Sequence, residues 1–138
     1  MYTKIMVPVD LGHIDRLEKA LKTAADLAKT YDLPVCYVGV SSSAPSSVAH
    51  NPEEFSEMVD AFAKEQAAKY DLANVTAVSY SIPDPAVDLD ETLIKAEKEN
   101  GVDLVVMASH VPGLADHIFA SNAGYVAKYS KVSVLVVR

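Results

Sequence analysis

Strand-sized apolar runs alternate with helix-period segments from one end of the sequence to the other. No other feature constrains the fold as strongly. TKIMVPV (3–9), PVCYVGV (34–40), NVTAVSYSI (74–82), DLVVMA (103–108) and VSVLVVR (132–138) are short and rich in β-branched residues, as buried strands are. Between the first two, Leu17, Leu21, Ala24 and Ala28 recur at helical spacing, which predicts a helix over about 13–31. Phe55, Val59, Phe62 and Tyr70 do the same over about 53–70. Asp84-Pro85 supplies an N-cap and a first helical residue for a helix running to about 99, and Asn100-Gly101 supplies its stop. A last helix is expected over about 117–129. The order β-α-β-α-β-α-β-α-β implies a parallel sheet with right-handed crossovers. The third strand alternates between a more and a less apolar face, the pattern of an edge strand.

The 138 residues are expected to form a single domain spanning 1–138. Such a chain buries roughly 70% of its unfolded surface and needs no disulfide or metal staple. Cys36, the one cysteine, lies in an apolar run and reads as a buried, inert thiol. No run approaches the ~20 apolar residues of a membrane span. MYTKIMVPVD leads straight into a strand without the parts of a signal peptide, so the expected location is the cytoplasm. A net charge of −7 argues against binding to nucleic acid or anionic membranes.

Open parallel sheets bind ligands beyond the carboxyl ends of their strands, where the strand order reverses. That directs attention to Pro8-Val9-Asp10, to Val40-Ser41-Ser42-Ser43, and to Ala108-Ser109-His110-Val111-Pro112-Gly113 with Ala120-Ser121-Asn122 after it. The Asp10 carboxylate can accept hydrogen bonds from a ligand or cap the following helix, and its two oxygens allow both. Ser109, Ser121 and Asn122 can offer donors to an anion at a helix start, or serve as ordinary helix-start chemistry. His110 and His117 have no metal-ligand spacing, His13 and His50 read as solvent-facing, and Asp10 with Asp116 makes a poor metal set. Gly-x-x-x-x-Gly-Lys and Gly-x-Ser-x-Gly are absent, and no lysine or arginine occurs from Gly101 to Ala127. The polar segment over 41–52 is long enough to act as a lid or to be disordered.

Pro8-Val9-Asp10, the ASHVP and ASNA segments and the terminal SVLVVR together resemble the universal stress protein family. ASH-x-P followed by SNA is similar to its branch of small ATP-binding members. The resemblance implies a three-layer, Rossmann-like fold of the adenine nucleotide alpha hydrolase type, with an open five-stranded sheet in the order 3-2-1-4-5. It implies a stress-response module that binds ATP or AMP, with Mg²⁺ accompanying ATP. Carried over by position, Pro8, Val9, Asp10 and Val40 lie at the base, and Met107, Ala108 and His110 line the ribose side. Ser109, Pro112, Ala120, Ser121 and Asn122 line the ribose and phosphates. Family members commonly dimerise through the last strand, here 132–138, which carries no charge before Arg138 apart from its flanking Lys131. The chain departs from the family's glycine pattern. Ala108 and Val111 stand at the first two glycine positions, Ala120 replaces the glycine before Ser121, and Val111 stands where the branch can carry a basic residue. Each added methyl opposes close backbone approach, and a phosphate loses a charge partner. A non-nucleotide interaction protein of this fold and a slow ATPase using Asp10, His110 or Ser121 are the alternatives.

Overall fold

A computed structural model describes residues 1–109 and 122–138. Five parallel strands run β1 (Ile5–Val9), β2 (Val35–Ser42), β3 (Val75–Ile82), β4 (Leu104–Ala108) and β5 (Ser133–Val137), in the spatial order β3-β2-β1-β4-β5. The order and the parallel sense agree with the sequence expectation, and β3 lies at an edge as its mixed faces require. The helices are α1 (Glu18–Tyr31), α2 (Pro52–Tyr70), α3 (Pro85–Glu99) and α4 (Asn122–Tyr129). The first helix was expected from about 13. A 3-10 turn over Ile14–Leu17 precedes α1 instead. The expected start of the last helix, 117–121, lies outside the described residues.

Alternate residues of the central strands feed two separate cores. Ile5, Val7, Val9, Val35, Tyr37, Leu104 and Val106 pack against Leu17 of the 3-10 turn, Leu21, Ala24 and Ala28 of α1 and Phe62 and Ala63 of α2. Met6, Cys36, Val38, Val105 and Met107 face the other way, onto Leu89, Leu93 and Ala96 of α3 and Ala123 and Val126 of α4. β1 is buried on both faces, as a central parallel strand is. Cys36 is fully buried, and burial pushes its thiol pKa up. Gly39 lets α2 approach β2, because a Cβ there would lie 2.7 Å from Val59 Cγ2 and 2.9 Å from Phe55 Cζ.

The helix ends follow local chemistry. The side chain of Asn51 caps α2, accepting from the Glu54 N–H at 2.8 Å. Asp84 occupies the N-cap position of α3 as expected, but its side chain makes no capping hydrogen bond. α1 and α2 end on Asp32 and Asp71, both left-handed at φ 55° and 53°. In each case the aspartate N–H and the following leucine N–H converge on one carbonyl, of Ala28 or of Ala67. Gly101, at φ 62°, follows α3.

Candidate functional site

Strands β1 and β4 share a paired ladder only at their beginnings. Ile5 pairs with Leu104 and Met6 with Val105, and the pairing stops there, whereas β1 stays paired with β2 as far as Val9 and Gly39. Pro8 has no N–H to give to a ladder, so the separation beyond Met6 leaves no donor stranded at that residue. The β1–β4 ladder therefore ends short of the carboxyl end of the sheet, where the strand order reverses.

The turn leaving β1 is fixed by Asp10. Its Oδ1 accepts from the Gly12 N–H at 3.0 Å, and its Oδ2 lies 2.8 Å from His13 Nδ1. A carboxylate acceptor places the ring proton on Nδ1. His13 is exposed, as expected, and is also a partner of Asp10. Asp10 thus braces the turn before the helix and does not cap it, since neither the 3-10 turn nor α1 carries a side-chain cap bond, and each of its oxygens retains a further lone pair for a ligand. Gly12 is tightly placed, since a Cβ would meet Asp10 Oδ1 at 3.3 Å.

Beside this turn lies a cavity of about 350 Å³. Asp10, Leu11 and Gly12 form one wall, and Val40, Ser41 and Ser42 at the end of β2 form the next. Ser46, Val48 and Phe55 close a third side, and Asp84, Pro85, Ala86 and Leu89 at the start of α3 close the fourth. The walls are apolar side chains interrupted by hydroxyls and two carboxylates, a composition suited to a flat heteroaromatic ring with donor groups. Segment 43–51 is held by its own serines. Ser46 Oγ accepts from the N–H groups of Val48 and Ala49 at 3.2 Å, and Ser42 Oγ accepts from the Ala44 N–H at 3.1 Å.

Of the residues singled out in the sequence, Asp10, Val40, Ser41 and Ser42 line this cavity. Pro8 and Val9 lead into it as the last residues of β1, with Val9 buried. Met107 is buried in the α3–α4 core, so its side chain serves packing. Ala108 ends β4, and the Ser109 N–H donates to the Val137 carbonyl at 2.7 Å, extending the contact with β5. Asn122 is buried at the start of the described part of α4, and its Nδ2 has no hydrogen-bond partner among the described residues. His110, Pro112, Ala120 and Ser121 lie outside the described residues, as do Val111, Asp116 and His117. Sequence reasoning missed Ser46, Val48, Phe55, Asp84 and Leu89 as wall residues. Only the Asn51-Pro52-Glu53-Glu54 helix start signalled locally that Phe55 would sit one turn inside a helix.

Among the described residues, no three His, Cys, Asp or Glu side chains group as a metal site. No described helix is long and apolar enough to cross a membrane.

The fold defines a doubly wound α/β protein, with a cavity beyond the carboxyl ends of β1 and β2. The universal stress protein family profile matches residues 1–138, and the chain belongs to that family. It is 26% identical over 146 residues to universal stress protein G of Shigella flexneri, covering all of both chains. The universal stress protein UspA of Lactobacillus plantarum has a similar structure, with a TM-score of 0.70 at 24% identity, covering 99% of this chain and 98% of that one. A universal stress protein from Archaeoglobus fulgidus in complex with dAMP matches with a TM-score of 0.68 at 20% identity, over 99% of this chain and 98% of that one.

Proposed function

We propose that this protein is a cytoplasmic regulatory module of the stress response, which binds an adenine nucleotide and works as a homodimer. The observation that carries the reading is the cavity beyond the carboxyl ends of β1 and β2, walled by Asp10 and Val40. Those are two of the positions assigned to the base by family resemblance. In this reading Pro8, Val9, Asp10 and Val40 surround the adenine, with a spare Asp10 lone pair accepting from its amino group. Met107, Ala108 and His110 bound the ribose, Met107 by supporting the floor from within the core. Ser109, Pro112, Ala120, Ser121 and Asn122 bound the ribose and phosphates, and the unpartnered Asn122 Nδ2 is a donor available there. Magnesium belongs to the ATP form of the ligand and is carried on its phosphates. The dAMP complex of the Archaeoglobus neighbour supports an adenine ligand. Titration calorimetry with ATP, ADP and AMP, together with mass spectrometry of material released from the purified protein, is the test. Absence of both a heat signal and a co-purifying nucleotide refutes the reading.

Pairing along β5 is the second part. β5 is an edge strand in the described sheet, with Leu135 39% exposed. Beside it Tyr2, Leu27, Tyr31, Leu104, Val134 and Leu135 line an apolar groove of about 420 Å³. An apolar edge with an apolar groove alongside invites a second strand. Light scattering is expected to report a dimer, and a monomer at tens of micromolar would remove this part of the reading.

A further inference from the structure

Resting on the adenine reading above, we propose that His13 is a positioning residue for ligand recognition: it locks the Asp10 carboxylate in one orientation, so that the cavity selects a base by its exocyclic amino group. Asp10 lines the cavity, whereas His13 is not among its described wall residues. The influence of His13 on a ligand therefore runs through Asp10.

The turn after β1 is closed without the imidazole. The Asp10 carbonyl accepts from the His13 N–H at 3.0 Å, and Asp10 Oδ1 accepts from the Gly12 N–H at 3.0 Å. One side-chain oxygen is all that such an Asx-type turn requires. The contact of Oδ2 with His13 Nδ1, at 2.8 Å, comes in addition. With a single oxygen held, a carboxylate still rocks about its Cβ–Cγ bond, a torsion with broad wells. With both held, its plane and its remaining lone pairs keep one direction. The brace is itself anchored. The His13 carbonyl accepts from the Arg16 N–H at 3.1 Å, so both backbone polar groups of His13 are bonded. Its side chain is 48% exposed, too open to act by filling a core.

The rest of the wall makes this orientation matter. The carboxylates of Asp10 and Asp84, when ionised, can only accept. Ser41 Oγ donates to the Ser42 carbonyl and Ser46 Oγ to the Ala49 carbonyl, both at 3.3 Å, so those hydroxyl protons are already placed. The described wall is consequently rich in acceptors and fits a ring edge that carries N–H donors. An acceptor fixed before binding loses less freedom when the ligand arrives, which is worth roughly two- to tenfold in affinity for one side chain.

Calorimetric titration of the full chain with adenosine and with purine riboside, which lacks only the 6-amino group, tests this. The wild type is expected to prefer adenosine by at least about fivefold, the cost of an acceptor covered by a ligand and left without a donor. His13→Ala and His13→Leu, neither of which offers a donor, are expected to reduce that preference roughly two- to tenfold while leaving the affinity for purine riboside nearly unchanged. His13→Asn sets an amide N–H near the place of Nδ1, in a residue suited to the start of the 3-10 turn, and is expected to restore the preference. A merely structural role would lower the affinity for both nucleosides together. That outcome, or a preference that survives both donor-free variants, overturns the positioning role while the adenine reading stands. A His13→Asn protein that behaves like His13→Ala overturns the ring donor as its cause. Equal binding of the two nucleosides by the wild type overturns selection by the amino group. Binding of neither overturns the proposal, and AMP titrated alongside reports separately on the adenine reading.

Discussion

The two helical layers both pack aliphatic side chains against the sheet but differ in the polar groups they shut away. Under α1 and α2 the unpartnered buried atoms are Tyr37 Oη and Gln66 Oε1, neither charged at neutral pH. Burial raises the Tyr37 pKa further, so the phenol stays neutral at any working pH. Under α3 and α4 the corresponding atoms are Asp90 Oδ1, Glu97 Oε1 and Asn122 Nδ2. Glu97 is 4% exposed, and its second oxygen accepts from Ser130 Oγ at 2.8 Å, joining the ends of α3 and α4. Burial pushes the carboxyl pKa up at both Asp90 and Glu97. The first layer therefore hides neutral groups, whereas the other, which carries the start of α4 beside the proposed phosphate side, hides carboxyl oxygens whose charge depends on pH.

The largest test strikes the neutral layer. Tyr37 and Phe62 meet edge to face with centroids 5.6 Å apart, and Phe62 is 4% exposed. Phe62→Ala is expected to lower stability by about 3–5 kcal/mol in urea denaturation, with no dependence on pH between neutrality and mild acid. A small effect would deny that Phe62 anchors the packing of this layer. Gly39→Ala sets a methyl against the stiff Val59 side chain and the Phe55 ring of the same layer. Overpacking of this kind is expected to cost about 1–3 kcal/mol, read as a fall in melting temperature.

A smaller contrast compares the helix starts. Asn51→Ala removes a bonded cap from α2 and is expected to cost ~1 kcal/mol, whereas Asp84→Ala on α3, where no cap bond exists, is expected to cost less than ~0.5 kcal/mol. Equal losses in paired denaturation curves would count against this distinction. The smallest effect has the opposite sign. Glu97→Gln is expected to stabilise the protein by up to ~1 kcal/mol near pH 8, with little gain at acid pH. Burial holds the folded carboxyl above its ordinary 4.5, and the Ser130 bond offsets this only in part. Above pH 4.5 the folded state accordingly retains a proton that the unfolded chain has lost, so the wild type loses stability as pH rises through the raised folded value. The difference between variant and wild type should grow over that window. A flat difference curve would make Glu97 as indifferent to protons as Tyr37.

Much of this organisation was legible because it is local. β-branched runs, helical spacing and the Asn100-Gly101 stop depend on neighbours in sequence, and the element order followed from them. Asp10 was legible as a strand-end carboxylate, but its engagement with Gly12 and His13 depends on the turn geometry. The cavity walls were less legible. Val48, Phe55, Asp84 and Leu89 come from three segments that only the folded sheet brings together, and none has a side chain that announces a ligand. Glu97 offered a missed clue. It lies four residues after Leu93 on the apolar stripe that includes Leu89 and Ala96, so its burial was written in the spacing. The expected capping bond of Asp84 failed for a different reason: residue type favours the position, while the backbone angles there, φ −137° and ψ 87°, decide whether the side chain reaches.

The paired helix stops have a consequence for how the chain is punctuated. Tyr31-Asp32-Leu33 and Tyr70-Asp71-Leu72 are the same three letters in the same role, each turning a helix back towards the sheet. The leucine that follows the turn packs on the α1–α2 core in both cases, and the strands it introduces begin side by side, Val35 against Val75. A short phrase, used twice, thus works as a full stop and a margin together: it ends one line and aligns the start of the next.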